Sequence, residues 1–188
     1  MKNKKTGLYV FIILVILHWS IPVLAEKAYI GDVVVTNTQD DLLVYFSVFD
    51  CFTEDLKEAI ASGIETTFTF FIKLYKKNNT LWDSRLIDME FQHSVRYDAL
   101  KRIYEVKLSE QDNQTKTVKS FEEAEKLMAE VISLKIMPLE HLEKGGRYQL
   151  RIMAELDKIK LPLYLHHILF FLSLWDFETD WYTIDFRY

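Results

Sequence analysis

Alternation of apolar and polar residues is the feature of this chain that most constrains its fold. The clearest run covers residues 87–97, in which every odd-numbered residue is apolar or carries a ring: Ile87, Met89, Phe91, His93, Val95 and Tyr97. Successive side chains of a strand point to opposite faces, so this run predicts a strand with one buried and one wet face. One-sided strands of this kind belong to antiparallel sheets.

The same period of two recurs along most of the chain, at residues 33–35, 42–49, 67–77, 103–108, 148–156 and 182–188. Short polar linkers at 37–41 and 98–99 predict two antiparallel hairpins, one joining the first two runs and one joining 87–97 to 103–108. Residues 110–117 are polar, and we expect them to form a loop.

Two helices are predicted between the strands. Thr53 is placed to cap the first helix, and Gly63 to end it. Ser120 and Glu123 form a capping box for the second, with an apolar stripe that continues to Val131. The predicted fold class is α+β: a predominantly antiparallel β-sheet, sandwich-like or curved, with two or three helices in a single domain.

Residues 1–25 have the pattern of a signal peptide. Three lysines precede an apolar run from Leu8 to Trp19, Pro22 interrupts it, and small residues lead to a predicted cleavage site after Ala25. Cleavage would leave one β-rich domain over residues 26–188. An uncleaved anchor is the alternative, although the apolar run is shorter than the ~20 residues that span a bilayer.

The charge balance excludes some partners. The chain carries a net charge of −5, and loss of the leader's three lysines would leave 20 basic against 28 acidic residues, or −8. This balance argues against nucleic acid and against docking on anionic lipids through charge alone. The five glycines have no phosphate-cradling spacing, so we expect no nucleotide and no cofactor.

Cys51 is the one cysteine, so no internal disulfide can form. It lies between Phe49 and Phe52, which favours a small buried apolar side chain. Two other states stay open: a thiol activated by the following helix N-terminus, and an intermolecular disulfide.

The stretch from Leu161 to Phe177 is apolar on almost every side of a helix. One interpretation is a helix packed in the core, and another is a transmembrane span. A third is a surface for lipid, for peripheral membrane contact or for an envelope protein, formed by Leu165, Ile168, Leu169, Phe171, Leu172 and Trp175.

A polar cluster overlaps this stretch and consists of His166, His167, Asp176, Glu178 and Asp180. Adjacent histidines point about 100° apart on a helix, so they rarely bind one ion together. We therefore predict no catalytic residue and no metal site. The competing hypothesis, a hydrolase or metal-dependent periplasmic enzyme, requires His93, His166 or His167 to meet Asp176 or Glu178 in one cleft.

The last strand suggests a further alternative. Aromatic and apolar residues at every second position up to a terminal tyrosine are typical of small outer-membrane β-barrels: Tyr182, Ile184, Phe186 and Tyr188. The two capped helices argue against that interpretation, because they use residues that such a barrel would need.

Three blocks carry a family resemblance: residues 40–46 (DDLLVYF), 58–64 (EAIASGI) and 174–182 (LWDFETDWY). They resemble an uncharacterised bacterial family, domain of unknown function 4390, over nearly all of the mature chain. The resemblance implies an exported bacterial protein and brings no activity or catalytic residues. We expect the protein in the periplasm or envelope. Our leading hypothesis is a non-enzymatic module that binds a protein or lipid through a sheet edge or through residues 161–177, with partner and oligomeric state open.

Overall fold

The computed structural model describes residues 27–78, 82–157 and 177–188. These ranges contain nine strands and two α-helices. In chain order they are β1 (Tyr29–Asn37), β2 (Asp41–Phe49), α1 (Glu54–Ala61), β3 (Thr66–Lys76), β4 (Ser84–Asp98), β5 (Ile103–Leu108), β6 (Gln114–Val118), α2 (Phe121–Ala129), β7 (Glu130–Pro138), β8 (Arg147–Leu156) and β9 (Tyr182–Arg187). Single 3-10 turns lie at Ser109–Gln111 and Leu139–His141.

The strands form two sheets in which the paired strands are antiparallel. One sheet has the order β1-β2-β7, and the other the order β6-β5-β4-β3-β8-β9. The predicted α+β class is confirmed, as are the hairpins of β1 with β2 and of β4 with β5.

The core lies between the two sheets. Phe46 of β2 meets Phe70 of β3 edge-on, with ring centroids 5.8 Å apart. Phe70 in turn stacks on Phe91 of β4 at 4.9 Å. One face of β3 is buried, as the period of two predicts, because four of its side chains have no exposed surface: Phe68, Phe70, Ile72 and Leu74. Burial of these apolar side chains is the main favourable contribution to folding.

Both predicted helix caps are present. The Oγ1 atom of Thr53 accepts a hydrogen bond from the Leu56 N–H, and Gly63 follows α1 with a φ of +86° that a side chain would strain. At α2, the Ser120 Oγ accepts from the Glu123 N–H at 3.2 Å. The Glu123 carboxylate accepts from the Lys119 N–H, so the capping box reaches back one residue further than the usual pattern.

Two segments differ from the sequence expectation. Residues 114–118 form strand β6 where we expected a loop, because an edge strand pairs on one side only and tolerates polar residues. The second helix ends at Ala129, and residues 130–138 form β7, so Val131 is buried in a sheet and not on a helical stripe. Val131, Ile132 and Ile136 are β-branched, and their packing beside β2 outweighs the helical pattern.

Several predictions fall outside the described residues: the signal peptide with its Ala25 cleavage site, the candidate surface from Leu165 to Trp175, and His166, His167 and Asp176. Of the stretch 161–177, Phe177 is described, and its ring packs edge-on against Phe68 at 5.1 Å. Within the described ranges, no helix has the length and apolar character needed to cross a bilayer.

Candidate functional site

The described part of the predicted acidic cluster lies in solvent. Asp180 is 91% exposed and forms an ion pair with Lys27 at 2.7 Å. Glu178 is also exposed, and its backbone bridges to Glu155 of β8. Among the described residues, no group of three or more His, Cys, Asp or Glu side chains is arranged to hold a metal ion.

His93 lies in the core, away from Glu178. Its ring is fully buried on the inner face of β4, edge-on to Phe70 at 4.7 Å. Glu178 bridges to β8, which is separated from β4 by β3 in the sheet order. Of the residues that the enzyme hypothesis requires, the structure describes His93 and Glu178, and these two do not meet in one cleft.

The acidic partner of His93 is instead Glu110, in the 3-10 turn after β5. The His93 Nε2 and Glu110 Oε2 atoms lie 3.1 Å apart but not in hydrogen-bond geometry, and in the described structure neither atom has a hydrogen-bond partner. The His93 Nδ1 lies 3.0 Å from the Met128 carbonyl oxygen, which can only accept, so Nδ1 carries a hydrogen. Sequence reasoning missed Glu110 because it lies at the start of the expected polar loop.

This contact pairs a buried histidine with a carboxylate. Burial raises the pKa of Glu110, but the contact with His93 and its charge outweigh burial and hold that pKa below its usual value. The pair ties the turn after β5 to β4 and to the end of α2.

Cys51 is buried and unreactive in character. It is 4% exposed, and its Sγ lies 3.7 Å from the Val48 carbonyl oxygen. Burial raises the pKa of the thiol to about 12, so the thiolate needed for redox or nucleophilic chemistry is suppressed. The helix N-terminus that follows does not overcome this burial.

The edges of the two sheets approach each other along two borders, here called seams, and the contacts differ between them. At one seam, β1 contacts β8 and β9, and the Lys27–Asp180 ion pair crosses from the start of β1 to the start of β9. A pocket of about 240 Å³ lies there, beside Tyr29 and Trp181. At the other seam, α2 lies between β6 and β7 and contacts both strands. The second seam therefore leaves two strand edges apart.

An apolar groove occupies this second seam. Its volume is about 570 Å³, and it is lined by residues of β5, β6, α2 and β7: Leu108, Lys116, Thr117, Val118, Glu123, Lys126, Leu127, Glu130 and Ile132. Ile132 is 61% exposed at this groove. Lys126 and Glu130, four residues apart in the chain, form an ion pair at the rim with 3.9 Å between the charged atoms.

Both strand edges beside the groove have backbone groups available for pairing. In the described sheets, β6 pairs with β5 alone and β7 with β2 alone. An unpaired edge presents a row of N–H and C=O groups that an extended chain can bind. We refer to this surface, formed by the edges of β6 and β7 and the apolar residues between them, as the seam groove. Sequence reasoning missed it because neither β6 nor β7 was expected.

The comparisons with known proteins identify the family alone. No curated protein and no solved structure gives a match to this chain. One family model does, and it covers residues 25–185 of 188. This match agrees with the resemblance found in the three sequence blocks. The chain therefore belongs to the family described as Domain of unknown function (DUF4390).

Proposed function

We propose that this chain is a non-enzymatic protein of the bacterial cell envelope that binds an extended segment of a partner protein in the seam groove. The observation that carries the proposal is the position of the groove between two unpaired strand edges. An inserted strand would gain main-chain hydrogen bonds from an edge and bury alternate side chains against Leu108, Val118 and Leu127.

The edges themselves argue against a second copy of this chain as the occupant. β6 has five residues and carries Lys116, and the pairing of β7 with β2 is interrupted by register shifts. Ser133 of β7 has a φ of +58°, and its hydroxyl donates to the Tyr45 hydroxyl at 2.6 Å. Short, lysine-bearing and irregular edges discourage pairing between identical molecules. A different chain, shaped to the groove, is the better occupant.

The groove also favours a protein over a lipid. Polar groups line its rim, among them Lys116, Glu123 and the Lys126–Glu130 pair. Opposite charges at a rim suit the polar border of a protein interface, whereas an acyl chain would satisfy neither these groups nor the strand edges.

A matched pair of substitutions tests the groove. Ile132→Asp places a charge at its exposed apolar residue, and Val34→Asp places the same charge on β1, at the opposite edge of the same sheet. Val34 is 53% exposed, so neither change disturbs a buried side chain. A photo-crosslinking residue at position 132 in intact cells should yield a discrete protein adduct, and the same probe at position 34 should not.

The crosslinked segment, identified by mass spectrometry, is then made as a peptide. We expect it to have alternating apolar residues and to bind the purified protein, with Ile132→Asp weakening the affinity about tenfold or more and Val34→Asp leaving it unchanged. The proposal would be refuted by equal adducts at both positions, by adducts to lipid, or by a peptide whose affinity Ile132→Asp does not change.

The envelope location rests on the leader sequence and has its own test. Fractionation of cells should recover the protein outside the cytoplasm, with an N-terminus at Glu26 if Ala25 is the cleavage site. Recovery of an intact leader in the inner membrane would show the tethered form instead, and recovery in the cytoplasm would contradict the location.

A further inference from the structure

The turn between β4 and β5 holds the most exposed large apolar side chain of the described residues. Leu100 is 98% exposed and lies in this turn. Val95 is the last residue of β4 that pairs with β3, and residues 96–98 pair with β5 alone. The two strands therefore extend past the end of β3 as a hairpin, with Leu100 at its end. We refer to residues 98–102 as the hairpin tip.

Hydrogen bonds hold the hairpin tip in one conformation. The Asp98 Oδ1 atom accepts from the N–H groups of Leu100 and Lys101, each at 3.0 Å. Behind the tip, the rings of Tyr97 and Tyr104 lie 4.8 Å apart on the paired strands. A turn that is already ordered loses little conformational entropy when its apolar side chain is buried by a partner.

The apolar stretch from Leu161 to Phe177 joins the fold at the same end of the six-stranded sheet. The chain leaves the described structure after Asp157 and re-enters it at Phe177. The Leu156 N–H donates to the Phe177 carbonyl oxygen at 2.9 Å, and the Asp157 N–H donates to the Thr67 carbonyl oxygen at 2.9 Å. Thr67 is near the start of β3, beside the end of β4 from which the hairpin extends.

The predicted leader precedes the described chain near this end as well. Lys27, the first described residue, forms an ion pair with Asp180 at 2.7 Å, shortly after the chain re-enters at Phe177. The two most apolar segments of the sequence are therefore both attached near one end of the molecule. The opposite end holds the 3-10 turn Leu139–His141, which precedes β8.

We propose that this end of the molecule faces a lipid bilayer and that the hairpin tip inserts Leu100 into the bilayer surface. Burial of a leucine that is otherwise fully in water is favourable. A bilayer surface accepts one inserted side chain, whereas a stable protein interface needs a broader complementary surface than a single projecting turn offers.

Charge is not the basis of this contact. The Lys101 ammonium already pairs with the carboxylates of Asp98 and Glu105, at 3.1 and 3.2 Å. The chain as a whole has a net charge of −5. We therefore expect binding to neutral bilayers, with no added dependence on anionic lipid.

The buried Cys51 makes a site-specific test possible. Burial raises the pKa of its thiol to about 12, so a second cysteine at the surface can be labelled selectively. Leu100→Cys and Glu140→Cys, each in protein purified from the cell envelope, receive a polarity-sensitive fluorophore. Glu140 is the control, because it is exposed in the turn at the opposite end. Vesicles of phosphatidylcholine should shift the emission to the blue at position 100 and leave it unchanged at position 140.

A charge at the tip should weaken binding to the same vesicles. Leu100→Asp should lower the affinity measured by co-sedimentation about tenfold or more, since that factor corresponds to the burial of one leucine side chain. Val34→Asp, a matched change on β1, should have no effect. Both side chains are largely exposed, so both variants should keep the wild-type circular dichroism spectrum.

Three results would overturn the proposal. The first is an emission shift that is absent at position 100 or equal at both positions. The second is a shift that requires phosphatidylglycerol in the vesicles, because binding would then depend on charge. The third is a photo-crosslinker at position 100 that captures a discrete protein in intact cells and no lipid, which would assign the hairpin tip to a protein partner.

Discussion

At the scale of single residues, the contact between His93 and Glu110 couples the core to pH. The carboxylate of Glu110 has a pKa below its ordinary value of about 4.3. A depressed acidic pKa contributes stability that is present above the unfolded value and is lost as pH falls through the folded one. The contribution of Glu110 should therefore be complete at neutral pH and disappear under acid conditions.

The Glu110→Gln and Glu110→Ala variants test this contact by urea unfolding at pH 7 and at pH 3. At pH 7, Glu110→Ala should lower the free energy of unfolding by about 1–3 kcal/mol, because it leaves the buried His93 Nε2 without the carboxylate beside it. Glu110→Gln should cost less, because the amide keeps a polar group beside Nε2. The difference between wild type and Glu110→Gln should shrink as pH falls.

Glu90→Gln is the control for this measurement, because Glu90 is exposed on the outer face of β4. Its effect should be small at both pH values. A gap between wild type and Glu110→Gln that widened in acid would contradict the assigned direction of the Glu110 pKa.

At the scale of secondary-structure elements, the seam groove depends on the position of α2. The helix lies between β6 and β7, and its Leu127 side chain lines the groove. Ala124 and Met128 anchor it in the core, with 1% and 0% exposure. With eight to nine residues each, α1 and α2 are too short to be stable alone. Their caps and packing therefore determine their positions.

Removing the cap of each helix in turn should show which helix shapes the seam groove. Ser120→Ala and Thr53→Ala each delete one side-chain acceptor, so each should lower the free energy of unfolding by about 1 kcal/mol. Ser120→Ala should also speed amide hydrogen exchange in α2 and weaken binding at the seam groove, whereas Thr53→Ala should change exchange in α1 alone. Equal effects of both variants on the seam groove would show that α2 does not shape it.

At the scale of the whole molecule, the two sheets share one core and should unfold together. Phe70 is fully buried between Phe46 and Phe91, whereas its neighbour Phe71 is half-buried on the outer face of the same strand. Phe70→Ala should destabilise the protein by about 3–5 kcal/mol, and Phe71→Ala by clearly less. Thermal unfolding followed by circular dichroism should show one transition in each case. Two transitions would mean that the sheets fold independently.

The sequence pattern predicted much of this architecture, because a strand with one buried face must alternate. Runs such as 67–77 and 148–156 carry that signal, and each forms a strand with a buried face. β6 lacks the signal, because a polar edge strand has little apolar surface to bury. β7 lacks it as well, since it continues an amphipathic helix without a turn residue between the two.

The seam groove was beyond the reach of the sequence pattern for a related reason. It joins residues of four elements, two of which were not expected.

The strand order has a consequence for the timing of folding. β2 pairs with β7 and β3 pairs with β8, so neither sheet can be completed until these later strands are present. Pairings between such distant segments are slow to form, because the intervening chain loses conformational entropy before any stabilising contact is made. Most of the polypeptide is therefore synthesised before its core can close.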